Sequence, residues 1–248
     1  MRFTVPKGWG ELDQEQLRYV LRLLWLYNEH PDGQQRIQTA AFLHFCGTEV
    51  VRRTDQGWLC RERKSGDMFL LDPELLPSLL QSVEWIAETE KMTVCIEQAG
   101  EYKAVDFKLQ ELPFGSYLKA ENNYQSYLQS RQESSLVKLA RILYLVPDGD
   151  DAARFDSEEL LGAFLWFNAV KQLLGQRFPN FLKPVGDKQE PITQESLIEA
   201  MRAQIRLLTK GDVTKQKYIL EETDTWTALA ELDALAKEAE EIKHKYGK

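Results

Sequence analysis

The chain has 248 residues and carries 39 acidic against 31 basic side chains, which gives a formal net charge of −8. With 43% hydrophobic and 28% charged residues, the composition is typical of a globular protein and excludes the disordered and collagen-like classes. A chain of this length can bury a core without disulfides or metals. The negative charge disfavours nucleic-acid binding by the molecule as a whole.

The apolar runs are too short for a membrane span. The run at 163–167 falls far short of the roughly 18 residues that cross a bilayer, and residues 1–7 contain no apolar signal core. The three cysteines, Cys46, Cys60 and Cys95, are an odd number at wide spacing, unlike a secreted disulfide framework. We therefore expect a cytoplasmic protein with no membrane partner.

The first 110 residues predict two helices followed by a small β element. Asp13 and Gln16 form a plausible capping pair at the start of the first helix, and a second helix should cover 34–46. Short runs bounded by turn residues then predict antiparallel strands between about residues 48 and 110. These runs are 48–54, 58–63, 68–71, 92–96 and 102–109.

Beyond residue 111 the apolar spacing is helical. We expect helices at about 114–130, 134–146, 157–176, 193–209 and 224–246. The predicted fold is therefore mainly α, of the α+β type, with the small antiparallel element inserted near the start. We expect residues 1–110 and 111–248 to form two regions, either as two domains or as parts of one.

Familiar catalytic signatures are missing from the sequence. It contains no G-x-x-x-x-G-K-[ST], H-E-x-x-H, paired C-x-x-C or G-x-S-x-G motif, so it offers no motif for phosphate cradling, zinc binding or a nucleophile elbow. Nothing in it predicts a cofactor. These absences favour binding over catalysis.

An acidic loop is the one candidate metal site. Its carboxylates are Asp148, Asp150, Asp156 and Glu159. They fall at positions one, three, nine and twelve of a calcium loop, but Ala153 occupies the position that requires glycine. The simpler interpretation is that Asp156 and Glu159 form a capping box for the next helix. A carboxylate- or metal-dependent enzyme built on 148–159 remains the alternative.

A basic hairpin is the second candidate site. Its cations are Arg52, Arg53, Arg61, Arg63 and Lys64, and Trp58 lies beside them. The simplest interpretation is a solvated hairpin with guarded strand edges. The alternatives are an acidic surface on a protein partner and, least favoured, nucleic acid.

The C-terminal helix is the preferred partner-binding element. It carries an apolar stripe behind a hinge at 208–215, and the predicted contact residues are Trp226, Leu229, Leu232 and Ile242. Such a stripe suits association with another protein, for example an apolar helical segment. The alternative is that the stripe docks on residues 114–209 and completes the core.

The segment 208–248 carries a resemblance to a known group of proteins. The run Thr209-Lys210-Gly211-Asp212-Val213-Thr214, which leads into Trp226-Thr227-Ala228-Leu229, resembles proteins from bacterial prophage-type gene clusters. Some of these look like tail-assembly chaperones, which hold the apolar tape-measure protein until the tail tube forms. The resemblance implies a non-enzymatic binding or assembly protein and transfers no site residues.

Overall fold

The computed structural model describes residues 5–182 and 193–246. This part of the chain contains nine α-helices and five short antiparallel strands, which confirms the predicted mainly helical fold with a small β element. Within these ranges, no helix combines the length and the apolar character needed to cross a membrane.

All seven helices predicted above are present, whereas the strand predicted at 102–109 is reduced to two residues, 102–103. The helices are α1 (Gln14–Tyr27), α2 (Gly33–Phe45), α3 (Leu76–Leu80), α4 (Phe114–Ser130), α5 (Glu133–Leu143), α6 (Ser157–Arg177), α7 (Gln194–Thr209), α8 (Gln216–Glu221) and α9 (Thr225–Tyr246). The strands are β1 (Thr48–Thr54), β2 (Gly57–Glu62), β3 (Met68–Leu71), β4 (Gln98–Ala99) and β5 (Tyr102–Lys103).

The chain divides into two compact units that are not continuous in sequence. Unit 1 consists of Met1–Glu97 and Asp156–Leu165, and unit 2 consists of Gln98–Phe155 and Trp166–Lys248. The predicted boundary between residues 110 and 111 is not a boundary of these units. Residues 156–165 belong to unit 1 because α6 packs closely there: a Cβ added at Gly162 would lie 3.1 Å from Leu21 Cδ1.

A sharp turn joins α1 and α2 in unit 1. Helix α1 begins with the predicted capping box, in which Asp13 accepts the backbone N–H of Gln16 at 2.8 Å and the Gln16 side chain accepts the N–H of Asp13 at 3.1 Å. At the turn, a Cβ added at Gly33 would lie 1.9 Å from the carbonyl oxygen of Tyr27. Only glycine fits this approach.

Strands β1, β2 and β3 form one antiparallel sheet in that order, and Thr48, Cys60 and Leu71 on one of its faces are buried. Cys60 pairs with Val50 on one side and Phe69 on the other, and it is fully buried. Val51 forms an irregularity in β1 between the pairs of Val50 and Arg52. The prediction for 48–71 is therefore confirmed.

The predicted strand at 92–96 is wrong. Met92 and Ile96 are buried, but their segment is irregular. The backbone bonds instead to a side chain of α1: Gln14 Nε2 donates to the carbonyl of Cys95 at 3.0 Å, and Gln14 Oε1 accepts the N–H of Glu97 at 2.9 Å. A side-chain amide thus satisfies backbone groups that a strand would have paired with another strand.

Unit 2 is built from helices around buried aromatic residues. Trp166 is fully buried, and its indole N–H donates to the carbonyl of Phe107 at 2.7 Å. A one-residue antiparallel bridge between Pro113 and Asp224 joins the starts of α4 and α9. These contacts hold α6 to the chain at Phe107 and the start of α4 to the start of α9.

Two buried carboxylates of unit 1 pair with α1. Glu158 binds Arg22 at 2.5 Å and Glu159 binds Arg18 at 2.9 Å, and both glutamate side chains are about nineteen-twentieths buried. Burial alone would raise the pKa of Glu158. Hydrogen bonds from Arg22, from its own backbone N–H and from Ser157 outweigh burial, so its pKa lies below the ordinary value.

Gly33→Ala should lower the free energy of unfolding by about 1–3 kcal/mol, because the added methyl group would overlap the Tyr27 carbonyl and force the backbone to shift. Gly8→Ala is the matched control, since nothing lies within 4 Å of a Cβ at Gly8. Urea unfolding followed by tryptophan fluorescence measures both. Equal stability of the two variants would contradict the close approach at Gly33.

Acidification should weaken unit 1 through Glu158. A carboxylate whose folded pKa is lowered contributes stability that is complete above the unfolded pKa, about 4.3, and is lost as the pH falls through the folded value. The free energy of unfolding should therefore fall between about pH 5 and about pH 3. Glu158→Gln should flatten this dependence, and Glu133→Gln, at an exposed position in the first turn of α5, should not.

Candidate functional site

The main candidate site is a cavity of about 730 Å³ in unit 2, bounded by α4, α6 and α7. We call it the amide cavity, because side-chain amides form much of its polar lining. Its apolar wall includes Leu118, Leu128, Phe181, Leu197, Met201 and Leu229. Its carboxamides are Gln125, Asn168, Gln172, Gln176 and Gln204.

Helical spacing brings these side chains together. On α4, the cavity-lining positions 117, 118, 121, 124, 125 and 128 recur every three or four residues, and on α6 the positions 168, 171, 172, 175 and 176 do the same. Residues at this spacing lie on one helix face. The local sequence therefore builds two mixed polar and apolar faces, and the fold turns both toward the same space.

An ion pair lies in the wall of the amide cavity. Lys171 Nζ contacts Glu121 Oε1 at 2.5 Å, and Gln125 Nε2 donates to the same oxygen at 2.8 Å. The Lys171 ammonium also lies 4.9 Å from the centroid of the Tyr124 ring. Glu121 Oε2 is buried and has no hydrogen-bond partner among the described residues. The charges of Lys171 and Glu121 thus neutralise each other.

The phenols of the cavity keep their protons. Burial raises the pKa of Tyr124 to about 12, and the negative charge of Glu121 adds to the increase. Burial also raises the pKa of Tyr117. The Tyr124 hydroxyl donates to Asn168 Oδ1 at 2.7 Å. Near neutral pH both phenols are therefore hydrogen-bonding groups without charge.

Asp233 of α9 holds the loop that follows α6. Its carboxylate accepts the backbone N–H groups of Asn180 at 2.8 Å and Phe181 at 3.0 Å, and also the Asn180 side-chain amide at 2.8 Å. Although burial would raise the pKa of Asp233, these hydrogen bonds hold it below the ordinary value. This anchor positions Phe181 in the cavity wall.

Of the four residues predicted to bind a partner on α9, two are buried in unit 2 and a third is partly buried. Leu229 and Leu232 are 0% and 1% exposed. The indole N–H of Trp226 donates to the carbonyl of Lys108 at 2.7 Å. Ile242 alone among the four is largely accessible, at 58%. The first half of α9 is therefore docked on the chain itself, as the alternative expected. Release of the helix as a binding arm would have to break this packing.

The predicted basic patch does not gather on one surface. The pairing of β1 with β2 places Arg52 and Arg61 on one sheet face and Arg53 on the other. Arg61 binds Glu49 at 2.8 Å, and the Arg53 guanidinium lies 5.3 Å from the Trp58 ring centroid. The other two predicted cations lie in the turn after β2: Arg63 and Lys64.

The predicted metal-binding loop is also divided. Asp148 and Asp150 belong to unit 2, and Asp156 and Glu159 to unit 1. Asp150 accepts the Tyr102 hydroxyl at 2.5 Å. Glu159 pairs with Arg18 and accepts the backbone N–H of Asp156 at 2.9 Å. The bond to Asp156 is one of the two hydrogen bonds of the predicted capping box. In residues 5–182 and 193–246, no group of three or more His, Cys, Asp or Glu side chains could hold a metal ion.

Sequence reasoning missed Glu121 and Lys171. The available signal was a charged residue between Tyr117 and Tyr124 on one face of α4, and a lysine inside the largely apolar stretch of α6. A charge at such a position requires a partner. The pattern does not say which helix supplies it.

Leu229→Ala should lower the free energy of unfolding by about 2–5 kcal/mol, because it leaves a void in the core. Ile242→Ala, on the exposed half of the same helix, should change it by less than about 0.5 kcal/mol. Thermal or urea unfolding monitored by circular dichroism measures both. A small effect at Leu229 would support the releasable arm.

Comparisons of the chain with protein-family models, with curated proteins and with solved structures return no match.

Proposed function

We propose that the protein is a non-enzymatic binding protein whose unit 2 holds a short apolar segment of another polypeptide in the amide cavity. The observation that carries this proposal is the composition of the cavity wall, which combines apolar side chains with five carboxamides and an internally neutralised ion pair.

The size and the apolar wall suit a few side chains of a ligand. A cavity of about 730 Å³ lies within the range of about 300–1,000 Å³ that is usual for ligand sites. Burial of each large apolar side chain contributes about 1.5–3 kcal/mol, from which the entropic cost of association is subtracted. Two or three such side chains would support a specific contact.

The carboxamides favour a polypeptide in extended form. Each offers both a donor and an acceptor, which matches the N–H and C=O of a peptide group. Gln172, Gln176 and Gln204 make no side-chain hydrogen bond to other described residues, so they are available. An extended segment has free backbone groups to bind them, whereas a helix uses its own internally. The helical segment expected from sequence is therefore the less favoured form.

We propose that the protein binds its client during the assembly of a larger structure. The segment 208–248 resembles uncharacterised prophage-type proteins, some of which look like tail-assembly chaperones, and this resemblance supports an apolar client such as part of a tape-measure protein. The three free cysteines support the proposal that the protein acts in the cytoplasm.

Leu128→Glu should weaken peptide binding at least tenfold, because it places a charge in the apolar wall. The probe is a fluorescein-labelled peptide of alternating Leu, Val and Phe flanked by Ser, and fluorescence anisotropy measures its affinity. Leu128 is 38% exposed, so the variant should fold. Leu207→Glu is the matched control, at a position of α7 that is 51% exposed and outside the wall.

Two results would contradict the proposed function. One is failure of the wild-type protein to bind the peptide, and the other is an equal loss of affinity in both variants. A peptide with a single proline distinguishes the ligand form. If the bound segment is extended, its affinity should fall only by the loss of one N–H donor, whereas a bound helix would be broken and its affinity lost.

A further inference from the structure

The two edge strands of the sheet in unit 1 differ in character. Strand β1, at one edge, carries Glu49, Arg52 and Arg53 and the irregularity at Val51. Charged side chains and bulges of this kind keep an edge strand from pairing with another chain. Strand β3, at the other edge, consists of Met68–Leu71 and carries no charge and no proline. The β3 edge therefore lacks the protection that the β1 edge has.

The backbone of β3 presents hydrogen-bonding groups to the outside of the sheet. At the turn between β2 and β3, the N–H of Glu62 donates to the carbonyl of Asp67 at 2.9 Å. In an antiparallel ladder, such bonded pairs recur at every second residue. The register of β2 with β3 therefore directs the N–H and C=O groups of Met68 and Leu70 away from β2. The other described residues supply no hydrogen bond to these groups.

The side chains beside these backbone groups are apolar and accessible. Met68 is 49% exposed and Leu70 is 50% exposed, and strand alternation places both on the sheet face opposite Cys60. Leu59, which pairs with Leu70, is half-buried on the same face as Leu70. Free backbone groups next to exposed apolar side chains are the features that an added β-strand covers. The β3 edge thus fits an extended partner.

The charges at the two ends of β3 indicate which partner fits. The turn before the strand carries two cations, Arg63 and Lys64, and no carboxylate, whereas the four residues after the strand carry two carboxylates, Asp72 and Glu74, and no cation. The carboxylates that flank the turn lie on the sheet face of Cys60: Glu62 and Asp67. An antiparallel second copy of β3 would place the basic turn of each chain beside the acidic segment of the other.

We propose that β3 pairs antiparallel with β3 of a second copy of this chain, about a two-fold axis at Phe69, so that the two sheets become one. In this register Met68 of each copy exchanges backbone hydrogen bonds with Leu70 of the other, and Lys64 of each copy lies near Glu74 of the other. The contact is isologous, since both copies use the same strand. The exposed apolar side chains of the two strands then cover one another.

The test is the oligomeric state of the full chain, measured by sedimentation velocity as the concentration is raised. The wild type should pass from monomer to dimer. Met68→Lys should weaken the dimer at least tenfold, because a lysine on an edge strand opposes pairing. Val51→Lys is the matched control, at a position of the opposite edge strand that is 50% exposed, and it should leave the dimer unchanged.

Leu70→Pro tests the backbone hydrogen bonds. It removes an N–H that β2 does not use, and proline is tolerated on an edge strand when its nitrogen faces outward. The variant should therefore fold, as judged by circular dichroism, and should also weaken the dimer at least tenfold. If it does not fold, Met68→Lys against Val51→Lys decides the matter.

Charge reversal tests whether the partner is a second copy. Lys64→Glu alone and Glu74→Lys alone should each weaken the dimer by about three- to tenfold, because two symmetric pairs of like charges then meet. The double variant should restore the dimer, since opposite charges meet again. A different partner strand would not be restored by this exchange.

Three results would overturn the proposal. They are a chain that stays monomeric at every concentration, equal self-association of the wild type and Met68→Lys, and a double charge variant that dimerises no better than the single ones. Strand β3 belongs to unit 1 and Leu128 to unit 2. Leu128→Glu should therefore weaken peptide binding and leave self-association unchanged, so this proposal and the proposed function can fail separately.

Discussion

A short antiparallel bridge holds the starts of α4 and α9 together. The N–H of Phe114 donates to the carbonyl of Thr223, and the N–H of Thr225 donates to that of Leu112, both at 2.9 Å. Thr225 is fully buried, and its hydroxyl donates to the same Leu112 carbonyl at 2.6 Å. Because both helices are held at their starts, the cavity walls that they supply, including Leu229, keep their positions.

The wall of the amide cavity contains a carboxylate that is satisfied on one oxygen only. Glu121 Oε1 binds Lys171 and Gln125, whereas Glu121 Oε2 is buried and has no hydrogen-bond partner among the described residues. An unsatisfied buried oxygen reduces stability. Lys171 thus links α6 to α4 at some cost in stability.

Each candidate site predicted from sequence is a pattern of residues close together in the chain. Contacts with distant segments determine whether those residues are buried and what they bind. The leucine stripe of α9 was correctly located, but Leu229 and Leu232 are buried within unit 2. The arginines of the hairpin are close in sequence, yet strand alternation separates Arg53 from Arg61. The acidic run contributes Glu159 to an ion pair with Arg18. No local pattern could reveal these partners.

The sequence by itself determined the helices, their capping residues and the first β-hairpin, because spacing, caps and turns depend on residues only a few positions apart. The capping box of Asp13 and Gln16 is one such case. Only the tertiary structure decided which helix faces meet, and therefore where the cavities lie. Glu121 and Lys171 are 50 residues apart, and the Gln14 side chain replaces a strand partner for residues 95–97. Such contacts depend on packing between distant segments, which local periodicity does not encode.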